Sequence, residues 1–438
     1  MTRTRIFISH SCKDVEIADD VPFEAEADPR KKRLKYARYI RDEVERLLGD
    51  DFEVLLDRKL LDPGDRWPIK LLRWLGDCDG AVLLLSEDAI KSKWVLQEAT
   101  VLTWRRHLRA GFRLIPVRLG GLADEALKEA GFGPLQISDI QAAKVEGTVD
   151  FSRAEADALA ARIAARFEDM VLADEDDEMR QWIAEVTRIL EPLGDDILAR
   201  TREPLGIADD DWAHFDDRAR TVAHYLLRAG LQRTSKALER IVTVLSAHNA
   251  DAFARLADKL LPMWVDPAAA ASLAVLPGGD WHAYALNTDD PEVADDYLRR
   301  AWCCPPWLAN RRLEFDEPLG EGQASEALAN LKVGIATRLR VPPRRMHLLA
   351  ERVRDRPFFV VFGEDAVLEQ HFCNGLAMDT ALAAATCLQL AGRNFDRAPA
   401  GLAAVVRLLP ALDDACEDAA YLGKSSILDL APGVPDEH

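Results

Sequence analysis

Residues 78–102 read CDGAVLLLSEDAIKSKWVLQEATVL, and the order of patterns in this stretch decides the fold. Its first part, Gly80–Leu85, is an unbroken apolar run, which predicts a strand buried on both faces of a sheet. The segment Trp94–Arg109 is predicted to be an amphipathic helix. A buried strand that leads into a helix is the repeating unit of a parallel sheet with helices on both faces.

The same alternation continues on both sides of this stretch. Strands are predicted at Arg5–Ser9, Phe52–Leu56, Phe112–Val117 and, as a short fifth, Leu135–Ile137, and helices at Leu34–Leu48, Trp67–Leu75 and Ala154–Phe167. The pattern predicts an α/β domain over residues 1–172. Residues 11–33 are long for the first strand–helix loop, so we expect a mobile insertion there.

The remainder of the chain divides into two regions with different sequence patterns. An acidic run, ADEDDE at residues 173–178, indicates a domain boundary, and residues 179–262 show only helical spacing. Residues 263–438 predict a further α/β or α+β domain, with strands at Trp281–Leu286 and Phe358–Gly363 and, among its helices, Ala377–Leu390 and Leu402–Leu409. We expect the helical region to be a linker or associated domain, and the last region to be regulatory or a sensor.

Composition limits the classes of function. The 438 residues carry a formal net charge of −19, which argues against a large nucleic-acid or anionic-membrane surface. No apolar run reaches the length of a membrane span, and the first residues lack the apolar core of a secretion leader. The seven scattered cysteines include no CxxC pair, so we expect reduced thiols, no metal site and a cytoplasmic location.

Three motifs, in this order, resemble those of the Toll/interleukin-1 receptor (TIR) domain in its bacterial form. They are RIFISHSCKD at residues 5–14, VLLDRKLLDPGDRW at residues 54–67, and the stretch quoted first. Each motif alone is a weak indication. Their order and spacing together make the resemblance specific, and it extends over about residues 1–170.

The resemblance implies a flavodoxin-like parallel sheet and, in the catalytic branch of the family, NAD⁺ glycohydrolase activity. The essential glutamate of the family's Trp-x-x-x-Glu motif corresponds to Glu98. The loop that contains Pro63, Gly64 and Trp67 corresponds to one that gates the site and contacts a neighbouring domain in the active assembly. NAD⁺ is then a substrate, no separate cofactor is implied, and copies of the chain associate through this domain.

The residue types also fit this chemistry. A carboxylate stabilises the positive charge that develops on the ribose as nicotinamide departs. Trp94 and Glu98 lie one helical turn apart, so that an aromatic ring and the carboxylate share a helix face. The loops that follow three strands meet at the carboxyl edge of the sheet. Candidate substrate contacts there are Trp94, Ser9, His10, Phe7, Asp57 and Arg58.

Structural interpretations of these residues stay open at this point. Glu98 is equally a residue type that helix N-termini favour at the surface. Trp94 and Phe7 are suited to packing in a core, and Asp57 and Arg58 could pair with each other. The segment YLGKSS at residues 421–426 has Asp418 where a phosphate-binding loop needs its first glycine, so we predict no ATPase module.

The leading hypothesis is therefore an NAD⁺-cleaving effector, restrained until its C-terminal region senses a ligand or protein, in the manner of bacterial antiphage defence. The alternative is a non-catalytic TIR adaptor that signals by assembly alone. An adaptor needs neither Glu98 nor its tryptophan, which is why we prefer the enzyme. The activating ligand, and whether the product is linear or cyclic ADP-ribose, are left open.

Overall fold

A computed structural model of the chain describes residues 3–408 with interruptions. The residues outside the description are 1–2, 12–20, 57–66, 110, 136, 138–142, 145–151, 169, 171–176, 210–211, 213–216, 266, 275–281, 287, 289, 316–323, 364–375, 377, 380, 383–384, 391–405 and 409–438. The chain forms two compact units, one of residues 1–229 with 240–248, and one of residues 230–239 with 249–438. The sequence-based boundaries at 172 and 262 stay predictions.

The first unit contains a five-stranded sheet with helices between its strands. The elements are β1 (Arg5–Ser9), α1 (Pro29–Leu48), β2 (Glu53–Leu55), α2 (Trp67–Asp77), β3 (Gly80–Leu85), α3 (Lys93–Leu108), β4 (Arg113–Arg118), α4 (Asp124–Glu129), β5 (Ala143–Lys144) and α5 (Arg153–Glu168). The strand order is β2-β1-β3-β4-β5, and all pairs are parallel. This is the α/β architecture that the alternating pattern predicts.

Helices cover both faces of this sheet. On one face, α1 and α5 pack over alternate residues of the strands, such as Ile8, Val82 and Val117. On the other face, α2 and α3 lie against β1. Because strand residues alternate between faces, Phe7 and Ser9 point toward α2 and α3 while Ile8 points toward α1. Strand β3, which is covered on both faces, is accordingly apolar and buried at every position.

The rest of the first unit is helical. The helices are α6 (Glu178–Leu190), α7 (Asp195–Leu198), α8 (Arg202–Leu205) and α9 (Arg218–Leu226), followed by α10 (Leu231–His248), which is divided between the two units. Helix α6 shows why this region folds as it does, since its buried residues, among them Trp182, Val186 and Leu190, recur every three or four positions. Among the described residues of 179–262 every regular element is helical, as predicted.

The second unit contains another parallel sheet. Its elements are α11 (Ala250–Leu260), α12 (Pro267–Leu273), β6 (His282–Leu286), α13 (Pro291–Ala301), β7 (Arg312–Phe315), α14 (Ala324–Arg338), α15 (Leu349–Asp355), β8 (Phe359–Phe362), β9 (Thr386–Leu390) and β10 (Val406–Leu408). The strand order is β10-β6-β9-β8-β7, with every pair parallel. Of the two predicted classes for this region, the structure is therefore α/β.

Three sequence-based assignments were wrong. The predicted helix Ala377–Leu390 ends in strand β9, which pairs with both β6 and β8, and the predicted helix Leu402–Leu409 contains strand β10. Pairing with neighbouring strands outweighed the alanine-rich local pattern in these segments. The predicted fifth strand Leu135–Ile137 is also incorrect, since Gly133–Leu135 is a turn of 3-10 helix and the fifth strand is Ala143–Lys144.

The predicted insertion is shorter than expected on its C-terminal side. Helix α1 begins at Pro29, where Asp28 caps it by accepting hydrogen bonds from the backbone N–H groups of Arg30 and Lys31. A further 3-10 turn covers Phe23–Ala25, and the ring of Phe23 packs edge-on against Tyr36. The remaining part of the insertion, residues 12–20, lies outside the described residues.

Candidate active site

The candidate site lies at the topological switch point of the first sheet. The chain leaves β1 toward β2 on one side and leaves β3 toward β4 on the other. The carboxyl ends of β1 and β3 are therefore where a sheet of this kind forms its binding crevice. Ser9 ends β1, and Ser86 follows β3. The loop from Ser86 then leads directly into α3, which carries Glu98.

Capping hydrogen bonds determine where α3 begins. The Ser86 hydroxyl accepts a hydrogen bond from the backbone N–H of Ala89 at 3.1 Å, which stabilises the turn after β3. The Ser92 hydroxyl then caps α3 by accepting from the Val95 N–H at 3.4 Å. These caps place Glu98 near the start of the helix and toward the sheet. Helix α3 begins at Lys93, one residue before the predicted start.

Glu98 is buried at this edge of the sheet. Only 5% of the residue is exposed, and its Oε2 accepts a hydrogen bond from the Ser9 hydroxyl. Its neighbours along α3, among them Val95, Ala99 and Leu102, are buried as well. This placement is incompatible with the alternative in which Glu98 is a solvated carboxylate at a helix terminus. Burying a carboxylate costs free energy even when a hydroxyl donates to it, so the position of Glu98 calls for a structural or chemical role.

Trp94 lies one turn before Glu98 but has the opposite environment. Its side chain is among the few large apolar ones at the surface, with 37% of the residue exposed. Trp94 is therefore not enclosed in the core, the alternative for this residue, and part of it reaches the surface. An exposed indole beside a buried carboxylate offers a flat apolar surface next to a charge.

The other predicted contacts divide into buried residues and residues outside the description. Ser9 and His10 are buried, as is Ser11 after them, and Phe7 lies deeper in β1 on the same side as Ser9. The structure thus brings Ser9 together with Glu98, and places Phe7 in the core beneath them. Asp57, Arg58, Pro63 and Gly64 lie outside the described residues. Trp67 is the first residue of α2.

Two ionic features near this edge were not predicted. Arg118, the last residue of β4, is buried on the side of the sheet that faces α3 and pairs with Asp124. At the rim, Arg30 lies 3.7 Å from Asp88, and Arg33 lies 3.7 Å from Glu87. The sequence offered two indications, an arginine at the end of the apolar strand β4 and a basic run at the start of α1. Both features are too common to single these residues out.

The opposite end of α3 is also anchored. Arg105 lies two helical turns after Glu98 and forms an ion pair with Asp177 at 2.7 Å, with neither side chain exposed. The same guanidinium donates to the carbonyl oxygens of Leu75 at 2.9 Å and Cys78 at 2.6 Å. Because Asp177 also caps α6, the helix that bears Glu98 is tied to the helical region.

A second arginine holds the end of α2. Arg180, on α6, donates to the carbonyl oxygens of Gly76 at 3.2 Å and Cys78 at 2.7 Å, and to the Asp79 carboxylate at 3.0 Å. The last carbonyl groups of a helix have no partner within it and carry its negative dipole end, so cationic donors stabilise them. Arg105 and Arg180 together satisfy the C-terminal end of α2 from outside the helix.

The described part of the chain shows neither a metal site nor a membrane span. No cluster of His, Cys, Asp or Glu there has the grouping needed to hold a metal ion. Nor does any helix in those ranges combine the length and apolar character that crossing a bilayer demands. The described edge thus offers the Glu98 carboxylate, hydroxyls, an imidazole and an indole, with the ion-paired guanidinium groups of Arg118, Arg30 and Arg33 nearby.

Comparison with known proteins agrees with this architecture. Residues 34–164 match the family model described as the TIR domain, a range that begins within α1, ends within α5 and includes Glu98. A search of curated proteins found no match to the chain. The parallel sheet, its switch point and the family match lead to one conclusion, that residues 34–164 of this chain are a TIR domain.

Proposed function

We propose that this protein is an NAD⁺ glycohydrolase in which Glu98 is the catalytic residue. TIR domains include NAD⁺-cleaving enzymes as well as signalling modules. The observation that carries the proposal is the buried Glu98 carboxylate, hydrogen-bonded to Ser9 at the switch point and one helical turn from the exposed Trp94. Buried carboxylates at such positions are costly for stability and are concentrated at functional sites.

The proposed reaction breaks the bond between C1′ of the ribose and the nicotinamide nitrogen. The electron pair of that bond goes to the nicotinamide, which departs as a neutral molecule because it was cationic in NAD⁺. Positive charge develops on the ribose, and the Glu98 carboxylate stabilises it. Water then attacks C1′ and loses a proton, which gives ADP-ribose; attack by the substrate's own adenine would give a cyclic product.

The neighbouring residues supply recognition. We infer that the exposed indole of Trp94 packs against a flat ring of the substrate, and that His10 lines the same crevice. Phe7, deep in β1, supports the floor of the site. The predicted substrate contacts Asp57 and Arg58 remain part of the proposal through their position after the second strand. The predicted gating residues Pro63, Gly64 and Trp67 remain part of it through the family resemblance.

Activity is proposed to depend on association. TIR domains generally self-associate, and we infer that copies of this chain do so in the cytoplasm when the C-terminal region binds its ligand or partner protein. The small exposure of Glu98 in the single chain supports a restrained resting state. Loss of cellular NAD⁺ on phage challenge would then be the biological output.

The deciding experiment compares the full-length chain with its Glu98→Gln variant. The release of nicotinamide and ADP-ribose is measured by chromatography under two conditions. In one the protein is dilute in solution, and in the other it is concentrated on a scaffold that favours association. Glutamine keeps a hydrogen-bond acceptor for Ser9 but removes the charge, so we expect a loss of at least about a hundredfold. Glu129→Gln, the same change on the exposed face of α4, serves as the control and should leave activity unchanged.

Two outcomes would count against the proposal. Equal NAD⁺ cleavage in the wild type and in Glu98→Gln would remove Glu98 from the mechanism. Absence of cleavage in every association state, with signalling retained in cells by both proteins, would favour the adaptor. The chromatogram also separates linear from cyclic ADP-ribose.

A further inference from the structure

The role of Ser9 follows from its place at the end of an interior strand of the sheet. Ser9 is the last residue of β1 and lies beside Leu83 of β3 in the parallel ladder, and only 1% of it is exposed. Its backbone is therefore held by a central strand, and its side chain has no room to reorient toward solvent. The hydroxyl donates its hydrogen bond to Glu98 Oε2.

Glu98 needs such a partner. A glutamate side chain has three rotatable bonds, and holding it in one geometry carries an entropic cost that a fixed donor offsets. Misplacement of a catalytic group by about 1 Å can lower a rate about a hundredfold. A hydroxyl donor also favours the ionised carboxylate, which is the form that stabilises a cationic ribose.

The hydrogen bond from Ser9 does not by itself occupy every acceptor position of the Glu98 carboxylate. A carboxylate accepts about four hydrogen bonds, whereas a serine hydroxyl donates only one. The hydroxyl is bonded to Glu98 and buried, which makes it poorly placed to reach a substrate directly. The geometry is that of a residue acting through Glu98.

We propose that Ser9 is a positioning residue, whose hydroxyl orients the Glu98 carboxylate and maintains its charge rather than binding the substrate. This inference rests on the proposed function of Glu98. It differs from the sequence-based expectation for Ser9, which was direct contact with NAD⁺.

Steady-state kinetics of the full chain separate the three roles that Ser9 could have. For Ser9→Ala we expect kcat to fall by about tenfold to a hundredfold with KM nearly unchanged, since orientation is lost while substrate binding is kept. Ser9→Thr retains the hydroxyl and should recover most of the activity, and thermal melting confirms that both variants are folded. A rise in KM at constant kcat would make Ser9 a substrate contact, and a rise in kcat would make it a restraint; either result overturns the proposal.

A second measurement does not need turnover. The Glu98 side-chain carboxyl carbon is observed by NMR in glutamate-labelled full chain, assigned by its loss in Glu98→Gln, and titrated with pH. We expect the titration of Glu98 to move to higher pH in Ser9→Ala, because a donor to the ionised form has been removed. An unchanged titration would refute the role of Ser9. If the wild type cleaves no NAD⁺, the proposed function fails while this titration still tests Ser9.

Discussion

At the scale of single residues, Glu98 and Trp94 show how one helical turn separates two environments. Both lie on α3, but the carboxylate is buried against β1 while the indole reaches the surface. The sequence places them on one face, and the depth of each depends on where the sheet ends. A substrate ring could therefore lie on the indole with its ribose directed inward to the carboxylate.

Replacement of Trp94 tests this arrangement. We expect Trp94→Ala to raise KM for NAD⁺ by about threefold to tenfold, because the free energy of one aromatic contact with the substrate is lost. Because the indole is partly exposed, the free energy of unfolding should change by only about 0.5 kcal/mol. Trp94→Phe keeps a ring and should lie closer to the wild type. Unchanged KM in Trp94→Ala would exclude the indole from the site.

His224, on α9, is a residue whose charge state depends on folding. Its side chain is buried, and no hydrogen-bond partner for Nε2 is found among the described residues. Burial, together with the positive charges of Arg220, Arg73, Arg228 and Arg105, holds the pKa of His224 well below its ordinary value. The folded state therefore favours the neutral imidazole of His224.

This pKa has a consequence for stability. As the pH falls below about 6.5, the unfolded chain binds a proton at His224 before the folded chain does, so the free energy of unfolding decreases. Urea unfolding at about pH 7.5 and about pH 5.5 measures the decrease. His224→Gln cannot take up the proton, and its decrease should be smaller. An identical decrease in both proteins would show that other groups account for it.

At the scale of elements, α2 and α9 approach so closely that only glycine fits between them. A Cβ at Gly76 would lie 2.6 Å from Cε1 of His224 and 3.5 Å from Cδ1 of Ile183. Contacts under 3.0 Å force one of the partners to move. The helical region therefore depends on the absence of a side chain at one position of the TIR domain.

Gly76→Ala should consequently destabilise the protein by about 1–3 kcal/mol, as overpacking does. The expected sign is informative, because glycine to alanine within a helix otherwise stabilises by about 0.5–1 kcal/mol. In the Gly76→Ala, His224→Ala double variant the clash is removed, and the stability should exceed the value expected from adding the two single changes. Stabilisation by Gly76→Ala alone would mean that the two helices are not in this contact.

The ion pair that joins α3 to α6 makes a second prediction at this scale. Asp177→Ala leaves Arg105 buried without its counter-charge, and we expect a loss of about 3–5 kcal/mol in urea unfolding. Asp196→Ala, which removes an exposed carboxylate from the neighbouring helix α7, is the matched control and should cost about 0.5 kcal/mol or less. Equal effects of the two changes would argue against the buried pair.

Cys78 reports independently on the same contact. Burial raises the pKa of the Cys78 thiol to about 11, so the residue should resist alkylation at neutral pH in the folded protein. We expect Asp177→Ala to speed its labelling, measured by mass spectrometry of the peptide that contains it. Cys78 labelling that is equally slow in the variant would show that the end of α2 does not open.

At the scale of the whole molecule, the compact first unit extends beyond the residues that match the TIR family. The compact first unit continues through the helices to Ala229 and includes residues 240–248. The hydrogen bonds from Arg180 to the end of α2 and the Arg105–Asp177 pair hold these helices to the sheet-bearing part. Removal of the helices would expose both the carbonyl groups and the charge of Arg105.

Two shortened chains test this continuity. A chain that ends at residue 248 should melt cooperatively by circular dichroism and retain the fold of the site. A chain that ends at residue 172 should melt at a lower temperature or fail to fold, because Arg105 loses Asp177 and the end of α2 loses Arg180. Equal melting temperatures would show that the sheet and its five helices form an independent domain.

Local patterns were sufficient for four of the five strands of the first sheet and for identifying Glu98 as a candidate site residue. These patterns are apolar runs, helical spacing and the order of three motifs, and all of them can be read from the sequence without knowing any tertiary contact. For this reason β1 and β3 were predicted with their observed bounds. The two-residue strand β5 and the strands β9 and β10 were missed because their structure depends on the neighbouring strands with which they pair.

The environment of the site required the folded chain. That Glu98 is buried and bonded to Ser9, 89 positions earlier, depends on α3 packing over the end of β1. The same holds for Arg105 and Asp177, and for the space that Gly76 leaves to His224. Residue types and spacing identify which groups are available for chemistry, whereas burial and hydrogen bonding, which set their charge and reach, arise only when distant segments pack together.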